Sequence, residues 1–298
     1  MNKRKSLLLA LLTMLLWGSL FPMVKLGFSV YGVVGTADIL LFAGIRFVIC
    51  GGVICAYTAI RNKDSYKPAG SSLVWILLSG LFAIILHYSF TYTGLELTDS
   101  SKTALIKQIG ALFYVCFSFL FIKSDKPTAK KIIAALIGFG GIIVLNISSD
   151  GFTFHVGDIL ILGASFCTVF SNVINKKVFQ KVAPITATGI SQFFGGIVLL
   201  VVGIAMGGKV QFPLNRSLWI MGYICVASIA SYCIWCGVVK SGELSKLFII
   251  KFAEPIFACF FGAWILQENI WKIQYLVAFL LISGSIWLSN LPSKKASA

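Results

Sequence analysis

Charge is what this chain has least of. Of its 298 residues only 12% are Asp, Glu, Lys or Arg, ten of them are acids, and histidine occurs twice. A soluble domain carries about 25% charged residues and about 45–50% apolar ones. Here the apolar share is 58% and the mean hydropathy +0.93, which excludes a soluble globule built on one core. Long polar stretches are also missing, so no loop is large enough to be a separate soluble domain. The single Cys-x-x-Cys, "CIWC" at 233–236, has no second pair or nearby histidine to complete a metal site. All eight cysteines lie in apolar segments and read as small buried hydrophobes. There is no Ser/His/Asp set, no phosphate-binding loop and no pair of catalytic carboxylates. "GFGG" at 138–141 lies inside an apolar run with no preceding strand, so it reads as close helix packing and not as a dinucleotide fingerprint. The expectation is a protein that is not an enzyme and needs no metal or cofactor.

What the chain does have is a succession of apolar runs near the ~20 residues needed to cross a bilayer. Ten spans fit: about 6–26, 37–59, 73–92, 102–122, 130–147, 157–176, 185–206, 217–238, 246–266 and 271–290. The first begins like a signal peptide, basic then apolar, but runs past Trp17 to about Phe28 without a small-x-small cleavage site, so it reads as a retained span. The formal charge of +15 is distributed in short connecting clusters such as "NKRK" (2–5), "KSDKPTAKK" (123–131) and "NKKVFQK" (175–181). That pattern speaks for cytoplasmic loops and against nucleic acid. With the N-terminus inside, sixteen Lys and Arg fall in cytoplasmic segments and four, at 102, 209, 216 and 272, in external ones. The asymmetry places a multi-pass protein in the cytoplasmic membrane with both termini in the cytoplasm.

The chain also repeats itself. Sliding 73–147 over 217–291 without a gap pairs sixteen identical residues, among them Trp75/Trp219, Tyr88/Tyr232, Ser101/Ser245, Lys102/Lys246, Lys107/Lys251 and Asn146/Asn290. Matched lysines and a matched serine are informative where matched apolar residues are not. Five spans per half is an odd number, so the second half must be inverted relative to the first. The expected fold is an all-α integral membrane protein of ten transmembrane helices in two inverted five-helix repeats, 1–149 and 150–298. Secondary transporters are often built this way, with the substrate near the midplane between the halves.

Three stretches, "LLWGSLFPMVK" (15–25), "FAGIRFVI" (42–49) and "IIKFAEPIFACFFGAWILQENI" (249–270), resemble the EamA-type branch of the drug/metabolite transporter superfamily. The last looks like that family's Glu-Pro helix. One departure is that the first repeat has Gly110-Ala111 where the second has Glu254-Pro255. The resemblance implies a proton- or exchange-driven carrier of amino acids or other small metabolites, often exporting them.

The candidate substrate-binding residues are the charged and polar groups inside the spans. A charge at the centre of a membrane helix costs about 2.5–3.5 kcal/mol on insertion scales, so it faces a cavity or a partner. Lys107 and Lys251, about a third of the way along their spans, bracket the midplane once the repeats are inverted. Glu254 stands at i+3 from Lys251, on the same helix face, whereas Lys107 has Gly110 there and no carboxylate within one turn. Arg46, matched by Gln192 when the second and seventh spans are laid together, is a fixed guanidinium suited to a carboxylate or phosphate, or to bracing neighbouring helices. Thr103, Lys107 and Tyr114 share a face of the fourth span, and His87, Tyr88 and Tyr232 are further candidates for a pocket wall. Glu254 is the proton-coupling candidate, because desolvation makes protonation of a carboxyl easier. Lys102 and Lys246 are expected to snorkel from helix ends, and His155 to be a solvated loop residue.

The resulting expectation is a secondary transporter of a small polar, negatively charged metabolite, in contact with the lipid bilayer and coupled to protons or exchange. Its competitors are an antiporter of phosphorylated or nucleotide-linked sugars, suggested by the intramembrane cations, and a membrane-embedded lipid-modifying enzyme, for which no nucleophile or metal set exists. A small-multidrug cation exporter is disfavoured because the first span has no glutamate. The topology is open to direct test. Cysteine introduced at position 150 or 209 in a cysteine-free background should react with an impermeant maleimide from outside; protection at both, with labelled termini, would invert the orientation.

Overall fold

The computed structural model describes residues 3–61, 70–110, 112–113, 129–148, 151–152, 155–211, 217–241, 251 and 253–290. Among them six helical stretches are long and apolar enough to cross a membrane, within Lys5–Val30, Gly35–Arg61, Gly70–Leu97, Val156–Val178, Pro184–Ala205 and Leu218–Val238. Three shorter apolar helices occupy Ile132–Leu145, Ala253–Leu266 and Ile273–Leu288. These nine coincide with nine of the expected spans. The remaining one, 102–122, is described only for its first part.

The first two helices are α1 (Lys3–Val30) and α2 (Gly35–Arg61). The turn after α1 places Gly32 at φ +63°, and the Val33 amide reaches back to the Phe28 carbonyl at 2.9 Å. That left-handed position suits a residue without Cβ. The third span is composite: α3 (Gly70–Gly80), a six-residue π-helical segment (Leu81–Leu86) and α4 (His87–Leu97). It is followed by α5 (Ser100–Lys107) and α6 (Ala129–Leu145). A two-residue antiparallel pairing, β1 (Ile147–Ser148) with β2 (Gly151–Phe152), then links α6 to α7 (Val156–Val178). This small hairpin, two residues a side, is too short to span a membrane and leaves the architecture all-helical. Pro184 opens α8 (Pro184–Ala205), where its missing N–H costs nothing. The chain continues through α9 (Leu218–Ser241), α10 (Ala253–Leu266) and α11 (Ile273–Asn290).

In a bilayer, helices gain little from excluding water and associate through close van der Waals contact, which small residues allow. The α2–α8 seam follows this rule. A Cβ on Gly51 would lie 2.2 Å from the Phe193 nitrogen, one on Gly44 2.4 Å from the Leu200 nitrogen, one on Gly196 2.5 Å from the Val48 nitrogen and one on Gly203 2.5 Å from the Leu41 nitrogen. Rising numbers on one helix meet falling numbers on the other, so the pair is antiparallel. Helices α6 and α11 pack in the same sense, with Gly138 against Ser285 and Gly141 against Ile282. "GFGG" therefore serves helix packing. The α1 helix lies between α9 and α10, and α4 packs on α7.

Lys102 does not snorkel. Its ammonium donates to the Asn146 side chain at 2.8 Å and pairs with buried Asp158 at 3.0 Å. The reason is that Asp158, in the first turn of α7, brings a carboxylate within reach and also accepts the His155 amide at 3.2 Å.

The glycine seam generates a stability prediction. Gly51→Ala or Gly196→Ala should cost about 1–3 kcal/mol through overpacking, lowering the melting temperature in detergent. Gly222→Ala and Gly237→Ala, where an added Cβ meets nothing within 4 Å, should be neutral or slightly stabilising. Equal effects at all four positions would mean that the seam is not the packing constraint.

Candidate functional site

Lys107 ends α5, with α4 and α1 beside its side chain. Its Nζ lies 3.3 Å from His87 Nε2 on α4 and 5.1 Å from the centre of the Phe21 ring on α1. The charges of Glu254, Arg46 and Lys251 act on it.

Glu254 occupies the first turn of α10, beside buried Pro255. Its carboxylate has the Gln108 side chain beside it and lies in the field of both Lys107 and Lys251. Among the described residues the direct ion pairs are Lys25–Asp99 and Lys102–Asp158, so neither lysine has closed onto Glu254. Lys251 instead lies over the Trp235 ring at 5.4 Å. Trp235 also packs on Trp17 at 5.3 Å, and Trp17 on Tyr232 at 6.0 Å.

Arg46 is one layer away, 2% exposed. Its Nη2 and Nε donate to Ser228 Oγ at 2.7 and 3.2 Å, and its guanidinium lies 4.8, 5.4 and 5.7 Å from the rings of Phe47, Tyr88 and Tyr92. A guanidinium stacked among aromatics keeps its charge with little hydration. The Tyr88 and Tyr232 hydroxyls meet at 2.9 Å, joining α4 to α9. Gln192, by contrast, lies fully buried on α8, and neither atom of its side-chain amide has a hydrogen-bond partner among the described residues.

The sequence-derived candidates thus separate into groups. Lys107 lies against His87 and, with Lys251, in the field of Glu254, while Arg46 acts on Lys107 and stacks on Tyr88, whose hydroxyl meets that of Tyr232. Thr103 is buried and its hydroxyl donates to the Asp99 carbonyl at 2.9 Å, so it closes the first turn of its own helix. Tyr114 lies outside the described residues. Sequence reasoning missed Gln108, Trp17, Trp235 and Ser228. None carries a charge, and none of the four matches an identical residue in the other repeat.

A second polar cluster closes one end of the same helices. The Glu268 carboxylate accepts from the Ser100 and Ser101 amides at 2.7 and 3.0 Å and from the Ser101 hydroxyl at 2.5 Å. It thereby caps α5, whose N-terminal amides have no partner within the helix. Lys25 donates to the Thr98 carbonyl and lies 4.0 Å from Asp99, which also accepts from Tyr275 at 3.3 Å. A cavity of ≈ 340 Å³ opens there, lined by Lys25, Phe28, Ser29, Glu96, Asp99 and Glu268.

Comparison with known proteins bears on what such a site serves. The chain is similar to YvbV, an uncharacterized transporter of Bacillus subtilis (strain 168), at 28% identity over 302 residues covering 99% of this chain and 94% of that protein. It is 24% identical to the uncharacterized inner membrane transporter YedA of Escherichia coli (strain K12), over 90% of this chain and 85% of that one. A crystal structure of a protein 20% identical in sequence shares the fold, with a TM-score of 0.65 over 97% of both chains. The EamA-like transporter family model matches residues 4–147 and again 155–290. The chain is a multi-pass membrane protein and belongs to the EamA-like transporter family.

Proposed function

We propose that this protein is a secondary active transporter that moves a small polar metabolite with a negative group across the cytoplasmic membrane by alternating access. Amino acids and related carboxylates are the leading class. The observation that carries the reading is a charge imbalance: among the described residues, Lys107 and Lys251 share the field of one carboxylate, Glu254, without an ion pair to it, and the Arg46 charge also acts on Lys107. Desolvated charges are tolerated when paired, and a substrate anion supplies the missing partner. Glu254 is the group through which a proton couples, because neutralising it and admitting an anion are alternative ways to balance the same lysines. The surplus of cations also fits a phosphate group, so an antiporter of phosphorylated metabolites is the second reading.

Two inverted halves with both termini cytoplasmic fit this mechanism. The reading is supported by contacts that exchange under the 144-residue offset of the repeat. Tyr88 touches its own counterpart, Tyr232. The contacts Gly138–Ser285 and Gly141–Ile282 interconvert, as contacts about a two-fold axis must. The family model's two tandem matches agree with the same division.

Purified variants in proteoliposomes test the proposal. Lys107→Gln should weaken substrate binding by roughly 2–5 kcal/mol, the range for truncating one partner of a buried charge pair, and Lys251→Gln should cost less because Glu254, three residues on, already shares that charge. Glu254→Gln should abolish transport driven by a pH gradient while leaving equilibrium exchange. Normal gradient-driven flux in Glu254→Gln would make the carboxyl structural, and unchanged affinity in Lys107→Gln would remove the case for an anion.

A further inference from the structure

The two repeat-matched lysines have different company. Lys251 has a carboxylate three residues on, Glu254, in the first turn of α10. Lys107 has an imidazole from another helix, His87, 3.3 Å away. The counterpart of His87 at the 144-residue offset is Ser231, whose hydroxyl turns back to the Ser228 carbonyl at 2.9 Å. The imidazole is thus a feature of one half, and it stands on the first residue after the π-helical segment Leu81–Leu86. Segments of this kind re-aim the side chains that follow them and are frequent at functional sites.

The hydrogen bonds around His87 fix its state. Nδ1 lies 2.9 Å from the Ala164 carbonyl. A carbonyl oxygen only accepts, so Nδ1 carries a hydrogen. On the other side of the ring, an ammonium only donates, so Nε2 must offer Lys107 a lone pair. Both conditions hold in the neutral Nδ1–H tautomer and fail in the other tautomer and in the imidazolium. The remaining contacts are compatible with it: Thr168 Oγ1 is 3.1 Å from Nδ1 and donates to the same carbonyl at 3.2 Å, and Thr91 Oγ1 is 3.4 Å from Nε2. Tyr88 packs edge-on at 4.8 Å. Among the described residues the charge that acts on the ring is that of Lys107.

We infer that His87 is a positioning residue for Lys107 and not itself a substrate contact: as a neutral Nδ1–H imidazole anchored to the α7 backbone, it accepts a hydrogen bond from one N–H of the Lys107 ammonium and so fixes the direction of the other two. A neutral acceptor suits the task. A carboxylate in that place would cancel the charge that an anionic substrate needs, whereas an imidazole lone pair orients the ammonium and leaves its charge uncompensated. This inference rests on reading Lys107 as the substrate-facing cation. It differs in what would refute it.

The chain has two histidines, so His155→Asn leaves His87 alone for nitrogen NMR. The full-length His155→Asn protein, labelled with [15N]histidine and held in detergent micelles near neutral pH, should show a protonated Nδ1 and an unprotonated Nε2. Adding Lys107→Met should shift the Nε2 resonance, and adding Thr168→Val instead should move chiefly Nδ1. A proton found on Nε2 in the His155→Asn protein, or an Nε2 resonance indifferent to Lys107→Met in folded protein, would overturn the inference. Should Lys107→Met fail to fold, the tautomer in the His155→Asn background still decides. A clear Lys107–His87 signature alongside unchanged substrate affinity in Lys107→Gln would instead sink the transport reading and leave this contact standing.

Discussion

Everything in this structure follows from the expense of holding charge where there is no water. Each intramembrane ion costs a few kcal/mol to insert, and the fold assigns each a distinct remedy. Lys102 has a carboxylate and an amide, Asp158 and Asn146. Arg46 has a serine hydroxyl and three aromatic faces. Lys107 has an imidazole and a distant carboxylate shared with Lys251. The first remedy is complete, and it stands beside the hairpin. The last is incomplete. An incomplete remedy is what a binding site for a charged solute requires.

The frame around that site is built by close approach. The α2–α8 seam brings backbone against backbone through Gly44, Gly51, Gly196 and Gly203, which leaves few ways for those two helices to slide. The site's charges are carried elsewhere, by α5 and by α10 with the adjoining Lys251. These elements meet through α1 and through Gly262, which lies against Ser100 and Ser101 beneath the Glu268 cap. In the proposed mechanism the rigid seam is the pivot and the polar cap is one of the contacts that must break when the site changes sides.

Much of this was legible in the sequence. The spans announced themselves by length and hydropathy, and the two membrane lysines by their repetition at one offset. Where the sequence misled, the cause was distance along the chain. Reasoning from i+3 neighbours gave Glu254 to Lys251 alone, yet the folded chain puts Glu254 in the field of Lys107 as well, 147 positions away. Lys102 looked like a rim residue because its partner, Asp158, belongs to a helix beyond the next connection. Thr103 shared a helical face with Lys107, but its position in the first turn of α5 gave its hydroxyl a nearer acceptor, the Asp99 carbonyl. The Asn146/Asn290 match was a usable signal for the Lys102 network, since a polar residue repeated near a span end needs a local reason.

The central claim is that the bundle interior carries surplus positive charge awaiting an anion. The most direct measurement is thermal stability of the purified wild-type protein against compounds sorted by charge. A ligand that binds only the folded state stabilises it by mass action, by about 2.7 kcal/mol at a hundred times its Kd. The account predicts that compounds bearing a carboxylate or phosphate raise the melting temperature and that choline-like cations of similar size do not. Stabilisation confined to the cations would contradict it.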